Sequence, residues 1–282
     1  MVEGARLESV YTVTPYRGFE SLPLRHRASG IQDLDSPILP GTPRPCAREV
    51  VRLVGVRESD RRAPSAVRTN LREKLLNRTI VVTGTDTDIG KTVFAAGLAA
   101  ALRAHYWKPV QAGLEDGSDS GRVESLGVPA DMILPEAYRL TTPCSPHRAA
   151  EIDGVAIDPD MLVLPRTEGN LVVEGAGGAL VPVTRELLYA DLFARWKAPT
   201  VIVARTMLGT INHSLLTIEA LRARGVPILG MAFIGDEAPD SEDTICQIGG
   251  VARLGRLPRL DPLTSETLAR NFADNFDQAA FA

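Results

Sequence analysis

The most specific chemistry in the sequence lies in Gly84-Thr85-Asp86-Thr87-Asp88-Ile89-Gly90-Lys91-Thr92. A glycine-bearing loop of this kind wraps a phosphate group in backbone N–H groups. Its lysine reaches the outer phosphates and its final hydroxyl can bind Mg²⁺. The spacing is one longer than usual, with five residues between Gly84 and Gly90. Further along stand residues that could serve the same chemistry. Lys108 follows a short apolar run, Asp119 sits in GSDSGR, and Glu174 closes Leu171-Val172-Val173. In an open parallel sheet, ligands collect at the carboxyl ends of strands. Thr92, Asp119 and Glu174 together would make an oxygen-rich site suited to Mg²⁺ rather than zinc.

Each of these residues also has a plainer reading. Lys108 can be a solvated lysine. Asp119 can cap a helix around Arg122–Leu126. Gly175, Ala176 and Gly177 offer backbone N–H groups with little side chain in the way of an approaching ligand. Thr210, Ile211 and Asn212 begin a helix whose free N–H groups can take an anion or can simply be capped. His147 and His213 are expected to be structural, because no acid–base partner is visible for either. Cys46, Cys144 and Cys246 are far apart and odd in number, which argues against a disulfide framework or a zinc site and fits a reducing cytoplasm.

The elements that must position these residues follow from hydrophobic period. Thr79–Thr83 reads as a buried strand and Lys91–Arg103 as an alanine-rich helix. Tyr106–Val110 is expected to be a strand beside the phosphate loop, carrying Lys108. Further strands are expected at Leu171–Val173, Thr200–Ala204, Pro227–Ile234 and Arg253–Leu257, with helices at Leu187–Trp196 and Ile211–Ala223. Alternation of this kind implies βαβ units. The expected fold is α/β, a P-loop NTPase-like parallel sheet with helices on both faces. It should span 79–282 as one domain.

Residues 1–78 differ in composition, holding 14 Lys/Arg against 9 Asp/Glu, while 79–282 hold 17 against 26. The segment is rich in Arg and Pro and is expected to be largely disordered, with short ordered pieces near Val50–Val56 and Leu71–Leu76. The next methionine after Met1 is Met132. An over-extended gene start and a dispensable tail are therefore both open. The acidic body speaks against nucleic-acid binding. No apolar run approaches the roughly 20 residues of a membrane helix.

Five blocks in order resemble the dethiobiotin synthetase family: GTDTDIGKT, Lys108-Pro-Val-Gln-Ala-Gly113, Ser145-Pro-His147, Val173-Glu-Gly-Ala-Gly-Gly178 and Leu208-Gly-Thr-Ile-Asn-His213. The resemblance implies ATP- and Mg²⁺-dependent closure of a cyclic urea on 7,8-diaminononanoate with CO₂, in a cytoplasmic homodimer. It implies catalytic roles for Lys108, Lys91 and Thr87, with Lys108 holding the carbamate and Thr87 on the carbamate side. Nucleotide contacts are implied for Asp88, Ile89, Gly90, Lys91, Thr92 and Val93. Asp119, Glu174, Gly175, Ala176 and Gly177 belong to the same implied set, with Thr92, Asp119 and Glu174 on the metal. Thr210, Ile211 and Asn212 would take the substrate's tail carboxylate across the dimer interface.

The sequence departs from the family in three places. Ala112 stands where some members have a substrate-bonding serine, so that contact is lost. Gly235 stands where an asparagine often reads the adenine, which would leave Asp236 or main-chain groups near Leu257, Pro258 and Arg259 to do so. The Arg103–Trp107 joint is short, which is expected to tighten a turn while leaving Lys108 on its strand.

Other nucleotide-binding classes share parts of this pattern. A switch ATPase of the chromosome-partition type usually carries an extra lysine near the loop's start, where this sequence has Thr83-Gly84-Thr85. An amidoligase would need a glutamine-hydrolysing domain, and only a short helical tail runs to Ala282. A relative that binds nucleotide without catalysis is opposed by Lys91, Lys108, Asp119 and Glu174, and an assay decides it.

Overall fold

The structure is a computed structural model and describes residues 78–281. The expectations for 1–78, including Val50–Val56, Leu71–Leu76 and Cys46, lie outside the described residues apart from Arg78.

In chain order the elements are β1 (Thr79–Gly84), α1 (Lys91–Leu102), β2 (His105–Trp107), β3 (Val110–Ala112), α2 (Asp119–Ser125), β4 (Ile133–Leu134), β5 (Tyr138–Leu140) and α3 (Pro146–Asp153). There follow β6 (Leu171–Gly178), α4 (Tyr189–Trp196), β7 (Thr200–Arg205), α5 (Thr210–Arg222), β8 (Ile228–Ile234), α6 (Pro239–Gly249), β9 (Arg253–Leu257) and α7 (Ser265–Asn275). Seven strands form one sheet in the order β4-β2-β6-β1-β7-β8-β9, and every pairing is parallel. β3 and β5 make a separate parallel pair.

Period-2 alternation divides the core. Ile80, Val82, Tyr106, Val172, Val201 and Val203 face α1, α2 and α7. Val81, Trp107, Val173, Ile202, Met231 and Phe233 face α3, α4, α5 and α6. A sheet buried on both sides explains the near-continuous apolar strands. Among the described residues, no helix is long and apolar enough to cross a membrane.

Two expectations about Lys108 need correction. The strand beside β1 is β6, and β2 lies one place further out. The expected strand Tyr106–Val110 is also broken. β2 ends at Trp107, and β3 begins at Val110 in the other sheet. Lys108 therefore stands just past the strand end, off the strand on which the short joint was expected to leave it. Pro109 gives the reason, since it has no N–H to continue the ladder with β6. Its carbonyl accepts instead from Ala137 and Tyr138, turning the chain toward β5.

Candidate functional site

The phosphate loop joins β1 to α1. Gly90 caps α1 at φ 91°, a left-handed conformation natural to glycine, and no side chain caps the helix. The first-turn N–H groups are thereby left to a ligand, at the positive end of the helix dipole. Lys91 Nζ bends back to donate to the Asp86 carbonyl at 2.7 Å. Burial lowers its pKa to about 8.

Beyond the loop, parity on the strands sets the geometry. Tyr106 pairs with Val172 and Trp107 with Val173. Lys108 and Glu174 are each the next residue, so both project toward the α1 face. Lys108 Nζ lies 3.0 Å from Glu174 Oε1 and 2.6 Å from Asp119 Oδ2, and donates to the Gly175 carbonyl at 3.1 Å. Thr92 Oγ1 is 2.9 Å from Glu174 Oε1 and 3.1 Å from Asp119 Oδ1. Glu174 is 0% exposed and Lys108 3%. Burial alone would lower the Lys108 pKa; Glu174 and Asp119 outweigh it and hold the ammonium above the usual lysine range. Burial alone would raise the pKa of Asp119; Lys108 outweighs it and keeps the carboxyl below its usual value.

Thr92, Asp119 and Glu174, distant in sequence, thus present three hard oxygens at one point. Among the described residues, no group of three or more His, Cys, Asp or Glu is placed to hold a metal ion by itself. A small hard cation that keeps most of its water or phosphate ligands matches two carboxylates and a hydroxyl. Asp119 is the first residue of α2, and the cap is Ser118, which accepts from the Gly121 amide.

A cleft of about 760 Å³ opens over this cluster, lined by Thr87, Asp88, Gly90, Lys91, Thr92, Val93, Lys108, Ala112, Asp119, Glu174, Ala176 and Gly177. Ile89 and Gly175 are outside this lining: Ile89 packs among the α1-side apolar residues and borders a smaller hollow, and a Cβ at Gly175 would meet Phe193. Thr210 lines a separate hollow of about 160 Å³ with Thr85, Asp86, Arg205, Leu208 and His213. Its hydroxyl is buried without a partner, and Gly209 caps α5 with no side chain. Ile211 and Asn212 follow in the same helical turn.

Gly235, Asp236, Leu257, Pro258 and Arg259 are not among the lining residues of either space. Gly235 donates to the Leu257 carbonyl, and its own carbonyl accepts from Arg256. A Cβ at this φ of 129° would come 2.6 Å from Thr206 Oγ1, so the backbone here is built for glycine. Asp236 and Arg259 are exposed. His147 Nδ1 is buried without a partner, and His213 lines the smaller hollow.

Two residues at the site escaped the sequence reading. Tyr106 donates its hydroxyl to Glu174 Oε2 at 2.8 Å, and burial with that carboxylate holds the phenol's pKa well above its usual value. Gln111 accepts from the Asp119 amide at 3.0 Å and donates to the Gly113 carbonyl at 3.0 Å. The available signal for Tyr106 was its position two residues before Lys108, on the same face. Removing the Gln111 amide should leave the start of α2 without its acceptor. Gln111→Ala is expected to lower stability by about 1–3 kcal/mol, read by denaturant unfolding; an unchanged midpoint would mean that the Asp119 amide finds another partner.

A parallel sheet whose first strand feeds a glycine loop, a Gly-Lys-Thr and an uncapped helix defines a P-loop nucleotide-binding protein. Residues 78–267 match the model of a family described as an AAA domain. Among solved structures, the cell division ATPase MinD of Pyrococcus furiosus aligns at 14% identity and a TM-score of 0.47, covering 72% of this chain and 97% of that one. The ATP-dependent dethiobiotin synthetase BioD of Rhizorhabdus wittichii is 65% identical over 73% of this chain and 100% of its own length. That of Novosphingobium aromaticivorans is 66% identical over 72% of this chain and 98% of its own. At this level of identity and coverage, the chain belongs to the dethiobiotin synthetase family.

Proposed function

We propose that this protein is an ATP- and Mg²⁺-dependent dethiobiotin synthase. One amine of 7,8-diaminononanoate takes up CO₂ as a carbamate, and the γ-phosphoryl of ATP passes to a carbamate oxygen. The second amine then attacks, phosphate leaves, and the cyclic urea closes. The observation that carries this reading is the convergence of Lys91, Lys108, Thr92, Asp119 and Glu174 on one cleft at the carboxyl ends of β1, β2 and β6. Phosphoryl transfer depends mostly on positioning and on stabilising charge, and this cluster offers both. The first-turn N–H groups of α1 and Lys91 would hold the phosphates. Lys108, once released by the carboxylates, would hold the carbamate anion. Thr92, Asp119 and Glu174 would hold Mg²⁺, which would supply positive charge to offset that of the phosphates.

The unpartnered Thr210 hydroxyl and the uncapped start of α5 support a substrate carboxylate at the smaller hollow, with Ile211 and Asn212 contributing N–H groups. Met207, Leu208 and Leu216 are exposed around the same helix, which favours a homodimer closing this hollow from a second copy. Free Cys144 and Cys246 suit a cytoplasmic enzyme.

The test follows phosphate release and dethiobiotin together, with diaminononanoate, bicarbonate, Mg²⁺ and ATP. Equal amounts of both are expected. Phosphate without the cyclic urea, or no turnover, would sink the reading and point to a nucleotide-driven switch.

The lowered pKa of Lys91 gives a pH prediction. Between about 8 and 10.5 the unfolded chain keeps a proton that the folded chain releases. This group alone therefore makes folding more favourable as pH rises through that window. ATP binding runs the other way, because the triphosphate needs the ammonium. ATP affinity is expected to weaken above pH 8, with proton uptake measured calorimetrically in buffers of different ionisation enthalpy. An affinity that stays flat to pH 9.5 would show that Lys91 keeps its proton throughout.

A further inference from the structure

Glu174 has two carboxylate oxygens, and they are held differently. Oε1 faces the site, where it meets Thr92 Oγ1 at 2.9 Å and Lys108 Nζ at 3.0 Å. Oε2 faces inward and accepts a single contact, the Tyr106 hydroxyl at 2.8 Å. Tyr106 is itself 0% exposed, on the next strand outward and two residues before Lys108. A buried carboxylate with one oxygen unpartnered would turn or draw water to satisfy it. The phenol removes that freedom: with Oε2 pinned, the plane of the carboxylate is fixed and Oε1 is kept aimed at Thr92. Tyr106 makes no contact with the cleft, since it is absent from the cleft's lining.

We infer that Tyr106 is a positioning residue for the cation site: its hydroxyl orients Glu174 so that Oε1, Asp119 and Thr92 present one preset cation geometry. This rests on the reading of that cluster as the Mg²⁺ site. Groups that orient a metal-binding carboxylate from behind typically change metal affinity by about 10–100-fold when removed. Deleting only the hydroxyl should therefore loosen the cation without touching a nucleotide contact.

The experiment compares Tyr106→Phe with the unmodified protein in two binding measurements that need no turnover. One is Mn²⁺ binding followed by electron paramagnetic resonance in the presence of a non-hydrolysable ATP analogue. The other is the Mg²⁺ concentration giving half of the thermal stabilisation seen with that analogue. The expected result is a rise of about 10-fold or more in both metal concentrations, with metal-free nucleotide affinity unchanged. In a Glu174→Gln background, Tyr106→Phe should then add little, because the oxygen it orients no longer carries the charge.

A variant that melts lower but keeps the metal requirement of the unmodified protein would overturn the inference and make Tyr106 a packing residue. If the unmodified protein itself shows no metal dependence with nucleotide, the cation reading fails and takes the inference with it. Should Tyr106→Phe not fold, the unmodified protein with ring-labelled tyrosine answers instead. Metal binding should shift a phenolic C–O infrared band, and no shift would overturn the proposal.

Discussion

Lys108→Met is expected to abolish dethiobiotin formation and to make the nucleotide-free protein depend on added Mg²⁺ for stability. The ammonium lies between Asp119 and Glu174, at 2.6 and 3.0 Å, and is 3% exposed. Methionine fills the space but leaves two carboxylates facing each other across it. Breaking a buried pair by removing one partner costs about 3–5 kcal/mol, because the remaining charge is stranded. Two acids sharing one space cannot both stay ionised easily. The loss should therefore shrink as pH falls into the carboxylate range, and it should also shrink when a divalent cation takes the ammonium's place. Denaturant unfolding with and without Mg²⁺ reads this directly. Turnover should fall by at least about 10²–10³-fold, the usual scale for removing a group that stabilises transferring charge. A variant as stable as the parent and insensitive to Mg²⁺ would mean that Lys108 does not neutralise this cluster. An unchanged kcat would remove it from catalysis.

The same cluster shows how far local sequence carries. The strand-loop-helix around Gly84–Thr92 was legible because each part is local: a β-rich run, glycines and an alanine-rich helix. Strands at Thr79, Thr200 and Arg253 also begin where apolar period places them. Strand order was not legible, because nothing in β1 or β2 records that β6, some 65 residues later, inserts between them. That insertion is what brings Glu174 to Lys108. The break after Trp107 had a visible signal in Pro109, outweighed by the apolar residues on either side. α6 was missed although Pro239 starts it and Gly250 ends it in a left-handed cap; its acidic face hid the buried Ile245. Tyr106 and Gln111 looked like ordinary strand residues, since their partners are supplied by β6 and by the start of α2. Their contribution exists only across strands, where periodicity is silent.

Glu174→Gln separates charge from shape at the proposed cation site. The amide keeps the volume of the carboxylate, so the strand register Val82↔Glu174 has no steric reason to change. Its oxygen should stay toward Lys108 and Thr92, because an amide N–H₂ facing the ammonium would oppose donor to donor. The nitrogen then meets Tyr106, whose hydroxyl can turn from donor to acceptor. The fold is expected to survive with a loss of about 1–3 kcal/mol, the range for disturbing hydrogen bonds to a charged group. Metal binding should suffer far more, because the site falls from two carboxylates to one and Asp119 becomes the one carboxylate left beside Lys108. The Mg²⁺ concentration for half-maximal turnover is expected to rise about 100-fold or more, the upper end of effects seen when a metal site's supporting contacts are removed. Raising Mg²⁺ should recover part of the rate, whereas no concentration should rescue Lys108→Met. A Mg²⁺ response like the parent's would take Glu174 out of the metal site and leave it as the counter-ion of Lys108. The cation would then rest on Thr92 and Asp119 alone, and Asp119→Asn would become the variant in which the 100-fold shift appears.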